Sequence, residues 1–157
     1  MKFAISYFYQ IRHFKPWMIP ISTAASDPIW FHPKGKKKGI YIDKRGVING
    51  LRCDDFAPGE LCKGLCHGAD NCNPPHPSSC QFLQMYQAQL AQINFPAFIN
   101  RCVKCVEWAK NEIYFEEEPI IVMMVYEPPY QPCSERTKIQ NWFASYGLKC
   151  DELILTN

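Results

Sequence analysis

Two stretches of this chain carry side chains whose types and spacing can do chemistry. Residues 53–80 hold Cys53, Cys62, Cys66, Cys72 and Cys80, with His67 and His76 among them. Cys62-x-x-x-Cys66 and the pair Cys72 and Cys80 supply two sets of thiolates joined by a short loop. With His67 and His76 as alternates, Cys62, Cys66, Cys72 and Cys80 offer the four donors of a tetrahedral zinc site. Iron–sulfur ligation is the less usual use of the same donors, and free thiols packed against helices are the metal-free one. The surrounding Gly, Pro, Asp, Asn and Ser favour turns. So few apolar side chains cannot offset the entropy of ordering the segment, so a metal, disulfides or docking must hold it. The chain has nine cysteines, an odd number that argues against a closed disulfide framework.

The second stretch is Glu127-Pro-Pro-Tyr-Gln-Pro-Cys-Ser-Glu-Arg136, between an apolar run of strand length and an expected helix. Loops at the carboxyl ends of parallel strands are where open α/β sheets bind ligands, and a helix N-terminus favours anions. In that setting Arg136 and Ser134 would grip a phosphate or carboxylate. Glu127 would act as general acid or base, or accept a hydrogen bond from a base edge or ribose hydroxyl. Cys133 would have a lowered pKa and is a second nucleophile candidate. The competing reading makes Glu135 and Arg136 partners of neighbours, Ser134 a cap and Cys133 a small buried residue. The spacing from Cys133 to Arg136 is too short for a phosphatase-type cysteine loop.

Cys102-Val-Lys-Cys105 has a redox spacing but falls inside an expected helix, which favours two packed thiols over a redox pair. Arg12 and His13 follow the first expected strand and are read as further contributors to a phosphate site at its carboxyl end. His32 has no motif around it.

Charge is uneven. Residues 1–52 carry ten Lys/Arg against two Asp/Glu, and residues 53–157 carry seven against thirteen. Lys34, Lys36, Lys37, Lys38, Lys44 and Arg45 face only Asp43. Such a patch fits a phosphate-rich partner, with Lys36, Lys37 and Lys38 as ligand-binding residues. It equally fits a hairpin edge whose lysines block strand addition. No stretch approaches the ~20 apolar residues of a membrane span, and the opening residues lack a signal-peptide pattern. The expectation is a cytoplasmic protein with reduced thiols and no membrane association.

These groups need elements to position them. Residues 2–9 read as a strand, the two prolines of 12–23 as extended chain or loop, and 39–49 as a hairpin around a turn at 43–46. Ser78 and Gln81 form a capping box for a helix with Phe82, Leu83, Tyr86 and Leu90 inward. Asn94 caps a second helix, with Pro96 in its first turn and Phe98, Ile99, Cys102, Val103 and Val106 as its buried face. Residues 120–126 read as a central strand buried on both faces. A helix near Cys133 turns Ile139, Trp142 and Phe143 inward, ends at Gly147 and leads to a strand at 150–155. Strand, helix, strand makes a βαβ unit. The expected fold is therefore a single α/β domain over 1–157. It is small, Rossmann-like and three-layered, with a mostly parallel sheet and a Cys-rich insertion at 53–80.

Residues 121–127, the loop 128–132, Cys133-Ser-Glu-Arg136 and the stretch from Trp142 to Leu153 resemble the family catalogued as domain of unknown function 488, with Arg12 as that family's early arginine. One residue more separates Cys133 from Arg136 than in the family's Cys-x-Arg, and no His precedes Arg136. The resemblance implies the α/β fold more than any reaction. Size and composition also resemble small phage-encoded proteins. The functional expectation is binding of a phosphate-bearing ligand, a nucleotide or nucleic acid, at the strand carboxyl ends, with action on a base or glycosidic bond. The rival is a non-catalytic, zinc-stapled module that recruits nucleic acid or a protein partner.

Overall fold

The computed structural model describes residues 1–33, 39–65, 72 and 74–155. Lys36, Lys37, Lys38, Cys66 and His67 lie outside them. The main sheet has four strands: β1 (Lys2–Tyr7), β2 (Met18–Ser22), β5 (Ile120–Val125) and β6 (Asp151–Glu152). Their order is β2-β5-β1-β6, and every pairing is parallel. A separate hairpin joins β3 (Tyr41–Ile42) to β4 (Ile48–Asn49). The helices are α1 (Gln81–Leu90), α2 (Phe95–Glu112) and α3 (Arg136–Ser145).

β5 is central because its side chains can be buried on both faces. Ile121, Met123 and Val125 join the core under the helices, with Phe98, Val106, Ile139 and Phe143. Val122 and Met124 alternate to the other face, against Phe8, Ile11, Phe14, Phe31 and Val47. Period-2 alternation across one strand thus feeds two cores. The second covering layer is not α-helical: it is a 3-10 turn at Phe8–His13 together with Phe31 and the hairpin. The molecule is a small Rossmann-like α/β domain of three layers.

The local signals act as their chemistry requires. The Asn94 side chain accepts the Ala97 N–H at 2.9 Å, capping α2. Gly147 takes φ +75°, and the Leu148 N–H returns to the Phe143 carbonyl at 3.0 Å, closing α3. At the hairpin turn, Asp43 Oδ1 accepts the Arg45 and Val47 N–H groups.

Four expectations need correction. Residues 18–22 are a strand despite Pro20, because β2 lies at the sheet edge, where a missing N–H can face away from the ladder. Ser78 does not cap α1; residues Pro77–Ser79 form a 3-10 turn and Cys80 precedes the helix. Val103 is exposed, and Ala109 completes the buried stripe of α2 instead. The last strand is confined to Asp151–Glu152.

Candidate functional site

After β1 the chain crosses to the face covered by Phe8, Ile11 and Phe14, while after β5 it crosses to the helical face through α3. Adjacent strands whose connections part to opposite faces make a topological switch point. Beside it, at the carboxyl ends of β2 and β5, a crevice of about 250 Å³ is lined by Thr23, Ala24, Ser26, Tyr126, Glu127 and Glu135, among others. Its wall is tied across the two strands. Thr23 Oγ1 donates to the Met124 carbonyl at 2.8 Å, and the Tyr126 hydroxyl donates to the Ser26 carbonyl at 2.7 Å. Small residues on one side leave room for a ligand, and two carboxylates supply hydrogen-bond acceptors or an acid–base pair.

Behind residues 24–27 stands a polar network that spacing along the chain did not announce. Asp27, with a side chain only 5% exposed, accepts from Arg52 Nη1 at 2.5 Å and from the Ser22 hydroxyl. Arg52 also donates to the Ala24 carbonyl at 2.8 Å and to Asp54 at 3.1 Å. Burial alone would lower the Arg52 pKa, but Asp27 and Asp54 outweigh it, so the guanidinium is held charged. His32 Nδ1 lies 3.2 Å from Asp27 Oδ2 yet off the line of a ring hydrogen bond, which leaves a close contact rather than an aligned bond. The available sequence signal was one of only two acidic residues in the strongly basic first third of the chain, shortly after a strand hidden by its proline.

The structure separates the residues that sequence reasoning grouped. Glu127 lines the crevice. Arg136 does not: its side chain is 5% exposed, Nε is paired with Glu152 on β6, and Nη1 donates to the Glu127 carbonyl at 2.7 Å. It pins two strand exits together. Ser134 is buried, and its hydroxyl accepts the Arg136 N–H at 3.2 Å, so it serves the helix start rather than a ligand. Cys133 is buried too, and burial pushes its thiol up rather than down, with the Cys72 and Cys80 thiols adding to the rise against the His76 backbone N–H. A buried thiol with a raised pKa is a poor nucleophile.

Arg12 and His13 sit away from the crevice. The 3-10 turn carries the chain back towards the start of β2, and both residues line a groove of about 570 Å³ with Lys15, Trp17, Arg45 and Tyr114. Lys15 and Trp17 immediately precede β2, and Tyr114 precedes β5, which puts this groove at the amino edge of the sheet. Arg12 stacks over the Tyr9 ring at 3.4 Å. The Arg45 guanidinium bonds Asp43 and the carbonyls of Ile11 and Arg12.

The metal candidates also divide. Cys62 is turned into the core over α1, its thiol 3.8 Å from Gln89 Oε1. Cys72 instead neighbours His76, at 3.2 Å from Nδ1. Among the described residues, no three His, Cys, Asp or Glu side chains are already gathered as an ion would need. Cys102 and Cys105 are packed on α2, and burial pushes Cys102 up to about 12. No described helix is long and apolar enough to cross a membrane.

No family model matches this chain, and no curated protein or solved structure was found to match it.

Proposed function

We propose that the carboxyl-edge crevice takes the base and sugar of one nucleotide within a nucleic-acid strand, and that Glu127 and Glu135 act as an acid–base pair on its glycosidic bond. The observation that carries this reading is the pair of carboxylates, one from the exit of β5 and one beside the start of α3, lining one crevice next to the switch point. Cleaving a glycosidic bond needs one carboxyl group to protonate the leaving side and another to activate water or hold the cationic sugar. Tyr126, half exposed at the rim, offers a face for base stacking.

Charge decides between a mononucleotide and a strand. Among the described residues, the crevice lining includes two carboxylates and no basic side chain, while Arg12, His13, Lys15 and Arg45 line the amino-edge groove with Glu116. A six-residue strand separates the two edges, about 20 Å at ~3.3 Å per residue. One nucleotide cannot touch both, but a strand several nucleotides long can. The proposed phosphate contacts are therefore Arg12 and Lys15, in place of Ser134 and Arg136. Membership of the domain of unknown function 488 family remains part of this proposal, resting on residues 121–136.

The test measures binding of single-stranded RNA and DNA by fluorescence anisotropy across a salt series, and base release by chromatography. Wild-type protein is expected to bind with a steep salt slope, and each of Arg12→Ala and Lys15→Ala to reduce that slope by about one. Glu127→Gln is expected to lower base release at least ~100-fold with little change in affinity. Binding without base release from any strand would overturn the catalytic half and leave the non-catalytic module, whose variants lose only affinity. Salt-insensitive binding, or none, would overturn the nucleic-acid half.

A further inference from the structure

We propose that the outward row of the 3-10 turn, Tyr9 and Arg12 continued by Lys15, is a track along which a single-stranded nucleic acid runs from the carboxyl-edge crevice to the amino-edge groove, with Trp30 as its stacking platform at the crevice end. This deepens the reading above: it rests on the partner being a nucleic-acid strand, but not on any chemistry at Glu127 and Glu135. It gives the strand a path, which two separated edges alone do not.

The row follows from 3-10 geometry. With three residues per turn, side chains at i and i+3 lie one above the other. Phe8, Ile11 and Phe14 accordingly point into the core against Val122 and Met124. Tyr9, Arg12 and Lys15 keep the same spacing one position later, and all three are exposed. The turn starts where β1 ends, and Lys15 lies just ahead of β2, so the row leads from the carboxyl edge to the amino edge. Arg12 lies over the Tyr9 ring at 3.4 Å, which joins ring and guanidinium into one step of the row. Bases stack on arginine planes as they do on aromatic rings.

The crevice end carries the matching aromatic surface. Trp30 and Tyr126 both pack against Phe8, at ring-centroid distances of 6.5 and 4.9 Å, so Trp30 stands close to the rim that Tyr126 forms. Tyr9 keeps 57% exposure and Trp30 49%. Large rings left in solvent beside cations are the arrangement of single-strand binding surfaces, where rings take bases and cations follow the phosphates. Stacking needs unpaired bases, so the partner is a single strand rather than a duplex. Arg45 is already bonded to Asp43 and to the Ile11 and Arg12 carbonyls, and Glu116 in the same groove opposes phosphate. The phosphate contacts therefore fall to Arg12 and Lys15, the two cations of the row.

The test is the affinity of the full chain for fluorescein-labelled homopolymer strands of about 2 to 15 nucleotides, read by fluorescence anisotropy. Wild-type affinity should climb with length until the strand spans the ~20 Å between the two edges, then level off. Tyr9→Ala and Trp30→Ala should each weaken the longer strands about tenfold or more, whereas Trp108→Ala, on α2, should leave them unchanged. Where a variant does not fold, photo-crosslinking of the wild-type chain to a thiouridine-substituted strand, mapped by mass spectrometry, reads the same path. Adducts are expected at Tyr9, Arg12 or Trp30. Wild-type affinity in both Tyr9→Ala and Trp30→Ala overturns the track, even where the strand binds and base release persists. So do adducts confined to the crevice or the helices, or no binding by any strand. Adducts along the row without base release support the track and overturn only the chemistry proposed for the crevice.

Discussion

Replacing Arg136 by methionine separates a structural arginine from a ligand-gripping one. The substitution keeps most of the side chain's length but removes the partner of Glu152 and the donor to the Glu127 carbonyl. Breaking a buried ion pair from one side costs about 3–5 kcal/mol. The Glu152 side chain keeps 32% exposure, so it retains part of its hydration, and a loss of about 2–3 kcal/mol is expected. With a urea slope near ~2 kcal/mol/M, the unfolding midpoint should fall by about 1–1.5 M. The deficit should also depend on pH. Burial holds the Glu152 carboxyl above its ordinary value, although Arg136 pulls it down. The folded state therefore binds a proton there at a pH where the unfolded chain does not, and this group favours folding as pH falls through its folded pKa. Without Arg136 that pKa rises further, so the variant's deficit should shrink on acidification. Urea titrations from neutral pH down to pH 5, read by tryptophan fluorescence, measure both effects. A midpoint shift under ~0.3 M, accompanied by lost nucleic-acid affinity, would refute the structural assignment.

Two further outcomes follow from local geometry. Asn94→Ala removes the acceptor of the Ala97 N–H and should cost about 1 kcal/mol, lowering the melting temperature by about 2–4 °C in differential scanning calorimetry. Burial pushes the Cys102 and Cys150 thiols from 9.0 up to about 12. At pH 8 each should therefore alkylate about a thousandfold more slowly than an ordinary exposed thiol. Rapid labelling of Cys102 by iodoacetamide in the folded protein would restore the redox reading of Cys102 and Cys105.

What could be read from the sequence was what is local in it. The apolar run of β5, the Asn94 cap, the Gly147 stop and the turn at 43–46 each declare themselves within a few residues, and the parallel sheet follows from strand–helix–strand spacing. Pro20 hid β2, because a proline argues against a strand until that strand is known to be at an edge. Arg12 was misplaced for a related reason: a 3-10 connection crosses the height of the sheet in a few residues, and no residue type marks how far along the crossing each side chain lies. The partnerships of Arg136 with Glu152 and of Asp27 with Arg52 join positions distant in the chain. Residue types proposed those groups as chemical, while pairing and burial decide which are free to be so.

The residues around the start of α3 that most resembled an active site in the sequence are those that position the crevice wall. The loop 127–136 carries one carboxylate near each end, and both line the same crevice. Three prolines stiffen it, but its position comes from elsewhere. Arg136 ties the Glu127 carbonyl to Glu152 on β6, and Cys133 is buried near the loop's far end. Catalysis by a carboxylate pair depends on placement, and a misplacement of about 1 Å can cost 100-fold in rate. The Arg136 tie would serve that demand in the proposed reaction without adding a group to the crevice itself. In the proposed reaction the buried arginine and the buried cysteine would act one step behind the chemistry, and Glu127 and Glu135 are the carboxylates that line the crevice.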